Sequence, residues 1–108
     1  MSLSEKKCIP CSGKTPPLSA DEREKYLSEL SGWNIEEDKK LVKSYSFKDF
    51  NGPMILANKI WEVAEKENHH PDLTVVWGEL KVVVRTHAIN NLSESDFILA
   101  SKIDKAAV

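Results

Sequence analysis

Two β-branched runs, Leu73–Trp77 and Leu80–Thr86, are separated only by Gly78 and Glu79. Few features constrain a fold more. So short a loop joins antiparallel neighbours, because a parallel partner needs a crossover of about a dozen residues or more. Glycine in the first loop position signals a type II′ hairpin, and the turn also sets a register. With Trp77 opposite Leu80, Val75 faces Val82, Leu73 faces Val84 and His70 faces His87. Alternation then puts Leu73, Val75, Trp77, Leu80, Val82 and Val84 on an apolar face directed at the core. Thr74, Val76, Lys81, Val83, Arg85, His70 and His87 fall on the polar face.

The elements around this hairpin are legible from caps and periodicity. Ser19-Ala20-Asp21-Glu22 is a capping box, and the helix it opens is expected to end at Gly32. Trp33–Glu37 and Leu41–Phe47 read as a second pair of strands, turning at Asp38-Lys39. A long helix follows from about Asp49 to Asn68, with Phe50, Met54, Ala57, Trp61 and Ala64 as its apolar stripe. Asp49 or Asn51 can cap it, Pro53 falls in its first turn, and Pro71 bounds its far end. Leu92-Ser93-Glu94-Ser95-Asp96 is another capping box, with a last helix to about Lys105. The order α-β-β-α-β-β-α implies an α+β domain, a four-stranded antiparallel sheet with helices on one face.

Composition excludes more than it identifies. The 108 residues fit one domain, and 15 basic against 17 acidic residues give a net charge of −2. Nucleic-acid binding is not expected without a basic footprint. No apolar run approaches the roughly 18 residues of a membrane span. No secretory signal opens the sequence, so a cytoplasmic location is expected. Residues 1–17 read as a flexible extension carrying Cys8-x-x-Cys11, and residues 18–108 as the folded domain. A redox pair would want a helix N-terminus beside the thiols, and structural zinc would want four ligands. The plain reading is a mobile tail with incidental thiols.

All three histidines lie within the stretch from Glu65 to Ala88. The hairpin register brings His70 and His87 together on an accessible face, with His69 beside them at the helix end. Glu65, four residues before His69, is placed to contact it and to favour a charged imidazole there. An acid and a base side by side suit proton transfer. A three-histidine zinc site is the rival use of the same cluster.

Glu65, three residues, His69-His70-Pro71, five residues, Trp77, nine residues, His87, eight residues, Asp96 resembles the signature of the pterin-4a-carbinolamine dehydratases. Gly32-Trp33-Asn34, Phe47-Lys48-Asp49-Phe50 and Leu92-Ser93-Glu94 are similar too, so the resemblance spans about residues 18–105. It implies an α+β fold that forms homodimers or homotetramers. The implied activity is a hydro-lyase step, loss of water from 4a-hydroxytetrahydropterin, in recycling after an aromatic amino-acid hydroxylase. It implies no metal or cofactor, and catalysis by His69, His70 and His87; the spacing of Glu65 adds it as an orienting residue. The segments His69–Pro71 and Thr86–Ile89, comprising Thr86, His87, Ala88 and Ile89, would line the pterin site. Some animal members also serve as dimerisation partners of a transcription factor. Asp96 is read as a helix cap and Trp77 as core, with Trp33 and Trp61 as candidates to stack on the pterin.

Overall fold

The computed structural model describes residues 3–8 and 17–107. Its elements are α1 (Ala20–Leu27), β1 (Asn34–Glu36), β2 (Lys40–Ser46), α2 (Asn51–Glu67), β3 (Asp72–Val76), β4 (Glu79–Val84) and α3 (Glu94–Ala106), with a short 3₁₀ turn at Leu3–Glu5. The four strands form one antiparallel sheet in the order β1-β2-β4-β3. This is the expected α+β order.

The inner sheet face follows from alternation. Leu41, Leu80, Val82 and Val84 are fully buried and join Leu56 and Ile60 of α2 and Phe97, Ile98, Leu99 and Ile103 of α3 in one core. Leu73 and Val75 extend that face to the β3 edge.

Four details depart from the sequence reading. First, β3 and β4 pair with Val76 opposite Glu79, Val75 opposite Leu80 and Leu73 opposite Val82. The turn residues are therefore Trp77 and Gly78, not Gly78 and Glu79. Gly78 takes φ +80°, its carbonyl accepts from Phe47 N–H at 2.9 Å, and its own N–H donates to Asp49 O at 3.0 Å. The loop before α2 thus clamps the turn. A slip of two positions keeps every strand residue on its face, so the core assignment survives. Trp77 leaves the ladder and is 70 % exposed, not core.

Second, α2 buries Pro53, Leu56, Ile60 and Ala64, while Phe50, Met54 and Trp61 of the expected stripe are exposed. The helix carries two apolar stripes, and the core takes the one richer in aliphatic residues. Third, α1 stops at Leu27, short of Gly32. Gly32 instead takes φ +81° in the turn to β1, where a Cβ would approach Lys43 Cε to 3.1 Å. Fourth, Leu3 is buried in the core and residues 3–6 pack on α3, with Lys102 Nζ donating to Ser4 O at 3.0 Å. A loose tail is not what residues 3–8 form. Cys11, and with it the C-x-x-C reading, lies outside the described residues.

Candidate active site

The end of α2 sets the first part of the site. Asn68 adopts the left-handed conformation at φ 51°, a common helix stop because the short amide side chain tolerates it. The His69 N–H then returns to Ala64 O at 3.2 Å. This reversal turns His69 inward and His70 outward. His69 is 9 % exposed, and its Nε2 lies 2.7 Å from Asp96 Oδ1. His70 is half exposed, with its Nε2 2.5 Å from Glu65 Oε2. Glu65 thus meets His70, not His69: the left-handed residue rotates His69 off the helical face that a four-residue spacing assumes. His69 likewise belongs to the interior and not to the accessible face.

The second part follows β4. Past Val84 the chain continues through Arg85 to Thr86, which bridges to Asn91 and closes a tight turn, with Ile89 N–H on Thr86 O and Asn90 N–H on His87 O, both at 3.2 Å. His87 rides on this turn, exposed, with no side-chain hydrogen bond among the described residues. It reaches the other histidines through the turn, because the ladder ends at Asp72 and Val83 before any pairing of His70 with His87.

Behind the histidines lies a buried polar cluster. Asp96 is fully buried. Its Oδ2 accepts from Thr86 Oγ1 and from the Ser93 N–H, each at 2.8 Å, and Thr86 Oγ1 lies 2.7 Å from Ser93 Oγ. One carboxylate therefore caps α3 and holds His69. A cap was the expected role; the grip on His69 was not visible in the sequence, because it depends on where α3 docks.

The result is a cleft of about 200 Å³ lined by His69, His70 and His87, by Thr86 and Ala88, and by Asn68 and Arg85. Of the expected lining, Pro71 and Ile89 stand outside the cleft wall. Arg85 and Asn68 were missed as site residues. Arg85 was readable only as a polar-face position, and Asn68 only as a helix end. Trp33 is buried with its Nε1 on Asp104 Oδ2 at 2.8 Å, and Trp61 is exposed on α2; neither lines the cleft. Among the described residues no three His, Cys, Asp or Glu side chains are grouped to hold a metal, and the Nε2 atoms of His69 and His70 already face carboxylates.

Residues 16–106 match the family described as pterin 4 alpha carbinolamine dehydratase. The chain belongs to that family. Among dehydratase-family relatives, a Rickettsia bellii protein is 56 % identical over 104 residues, covering 95 % of this chain and 92 % of its own. An Alkaliphilus metalliredigens protein is 49 % identical over 104 residues, covering 95 % and 94 %. Both provisionally carry the name pterin-4-alpha-carbinolamine dehydratase. A crystal structure from Brucella melitensis, described as a transcriptional coactivator/pterin dehydratase, superposes with TM-score 0.80 at 28 % identity, covering 86 % of this chain and all of that one. A pterin dehydratase-like RuBisCO assembly factor of the alpha-carboxysome shares the fold alone, with TM-score 0.60 at 14 % identity over 71 % of this chain and 90 % of its own.

Proposed function

We propose that this dehydratase-family chain removes water from a 4a-hydroxytetrahydropterin to give the quinonoid dihydropterin. The observation that carries the reading is three imidazoles at one cleft in three settings: buried on Asp96, exposed on Glu65, and exposed without a side-chain partner among the described residues. The reaction uses such variety. The C4a–O bond breaks as the hydroxyl takes a proton and leaves as water, while N5 loses its proton and its electron pair forms the N5=C4a bond. One proton is given and one taken, and the step needs neither metal nor redox cofactor.

We assign the two transfers to His70 and His87, the outward rings, with Glu65 orienting His70. His69, held by Asp96, lines the same cleft, and Thr86 and Ala88 complete the wall. Pro71 and Ile89 flank the site through their neighbours. Each positioned acid or base is worth roughly 10²–10⁴-fold. The test is turnover of a freshly generated 4a-carbinolamine, followed optically with EDTA present. His70→Ala and His87→Ala each lower kcat by about 10²-fold or more; wild-type rates in His69→Ala, His70→Ala and His87→Ala alike would sink the reading.

Two partners belong to this proposal. One is an aromatic amino-acid hydroxylase, whose reaction supplies the carbinolamine. The other is a second copy of the chain, since α2 exposes Met54, Ile55 and Trp61 and β3 is a sheet edge. The same surface favours a second reading, a protein-interaction module that does not need the histidines. The coactivator description of the Brucella protein is in keeping with it. Full biological activity from a triple histidine variant would favour the module over the enzyme.

A further inference from the structure

Arg85 is the fixed cation of the cleft, and nothing in the proposed chemistry uses it. It follows the last residue of β4 and lines the same wall as the three histidines. Its single hydrogen bond among the described residues runs from Nη1 to Asn90 Oδ1 at 3.2 Å. Its Nε is buried without an acceptor. Among the described residues it forms no ion pair, although five other cationic side chains, Lys6, Arg23, Lys40, Lys43 and Lys102, do so.

Neither carboxylate that meets a histidine of the site is paired with Arg85. Glu65 is on His70. Asp96 is shared by His69, Thr86 and Ser93. Glu37, which feels the Arg85 charge weakly, is paired with Lys40 at 3.2 Å. Asn90 is itself fixed, at φ 48° and with its N–H on His87 O. One turn therefore positions both His87 and the residue that aims Arg85.

A half-buried guanidinium with spare donors and no ion-pair partner among the described residues is complementary to a planar or tetrahedral anion, which it can grip with two parallel N–H bonds. We infer that Arg85 makes the cleft select reduced pterins whose side chain carries an anionic group, a phosphate ester or a carboxylate. This specificity rests on the dehydratase reading of the same cleft. The ring lies among the imidazoles, and the anionic end of the side chain reaches Arg85. A neutral side chain would leave the guanidinium partly desolvated with nothing in return.

The experiment compares kcat/KM for three carbinolamines: one from neutral 6-methyltetrahydropterin, one bearing a phosphate ester on the C6 side chain, and one bearing a carboxylate there. In the wild type the better anionic substrate exceeds the neutral one by about tenfold or more at low ionic strength. The ratio falls toward one in Arg85→Gln and is partly kept in Arg85→Lys, which holds the charge but not the fork. It also shrinks as salt is raised. Which anionic arm shows the preference identifies the group. A wild-type ratio at or below one, or an undiminished ratio in Arg85→Gln of wild-type unfolding midpoint, overturns the inference while leaving the dehydratase reading standing. If none of the three is turned over, that reading fails. Binding of the corresponding 7,8-dihydropterins then decides: an anionic preference lost in Arg85→Gln supports Arg85, and no preference overturns it.

Discussion

Asp96 shows how much one buried carboxylate can organise. It is fully buried and accepts from the Ser93 amide at the cap of α3 and from a threonine hydroxyl, and it meets an imidazole. Burial of a carboxylate is tolerated only when its oxygens are satisfied in this way. The Ser93-to-Asp96 spacing made the cap legible, while the contacts with His69 and Thr86 needed the tertiary placement of α3. Asp96→Asn keeps the shape but weakens the charge-assisted bonds, so the expected cost is about 1–3 kcal/mol in urea unfolding. On the proposed dehydratase reading, turnover is expected to fall with it, as His69 loses its anchor. Thr86→Val removes one donor and leaves the His69 contact, so its cost is nearer 1 kcal/mol. Equal losses in the two variants would argue that the His69 bond contributes nothing of its own.

At the scale of elements, the hairpin and α2 show why pattern fixes some things and not others. Strand alternation has a period of two, so a register displaced by two positions preserves each face. The turn was misplaced because its Gly78 contacts, Phe47 and Asp49, lie 29 to 31 residues earlier in the chain. Helix α2 presents apolar residues on two sides, and periodicity alone cannot rank them. The core stripe is settled by packing: Ile60 is fully buried and Trp61 is 63 % exposed. Ile60→Ala is therefore expected to cost about 2–5 kcal/mol at any protein concentration. Trp61→Ala leaves the protomer core intact, and any loss of stability should depend on concentration, as it would if a second copy covers that face. Unfolding midpoints measured over a hundredfold range of concentration separate the two behaviours.

Across the whole molecule, polar staples at both ends of α3 tie distant parts of the chain together. Near its C-terminus, Asp104 receives Trp33 Nε1 at 2.8 Å, Lys43 Nζ at 2.7 Å and the Tyr45 hydroxyl, joining α3 to β2 and to the turn before β1. Burial, with the Asp104 bond and charge adding to it, drives the Tyr45 hydroxyl well above the usual phenol range. At its N-terminus, Glu94 Oε2 accepts from Lys6 Nζ and Tyr26 Oη, both at 2.9 Å, fastening the N-terminal segment and α1. None of these contacts is readable from spacing, since Lys6 and Glu94 are 88 residues apart.

The Glu94 staple has a pH signature whose sign can be worked out. The Lys6 hydrogen bond, helped by the Tyr26 hydroxyl and opposed by partial burial, holds the Glu94 carboxyl below its ordinary value of 4.5. The Lys6 ammonium is correspondingly raised above 10.5, chiefly by its bond to Glu94. A depressed carboxyl adds stability that is complete above its unfolded value and disappears as pH falls through the folded one. A raised amine adds stability that is complete below its unfolded value and disappears as pH climbs through the folded one. The staple is therefore fully present between about pH 5 and pH 10. Wild type should exceed Glu94→Gln in urea midpoint by a constant margin across that window, and the margin should close below pH 4.5 as the wild-type carboxyl protonates. Both side chains are about a third exposed, which makes the margin small and sensitive to salt. A margin that persists undiminished at pH 3 would mean that Glu94 acts through packing and not through its charge.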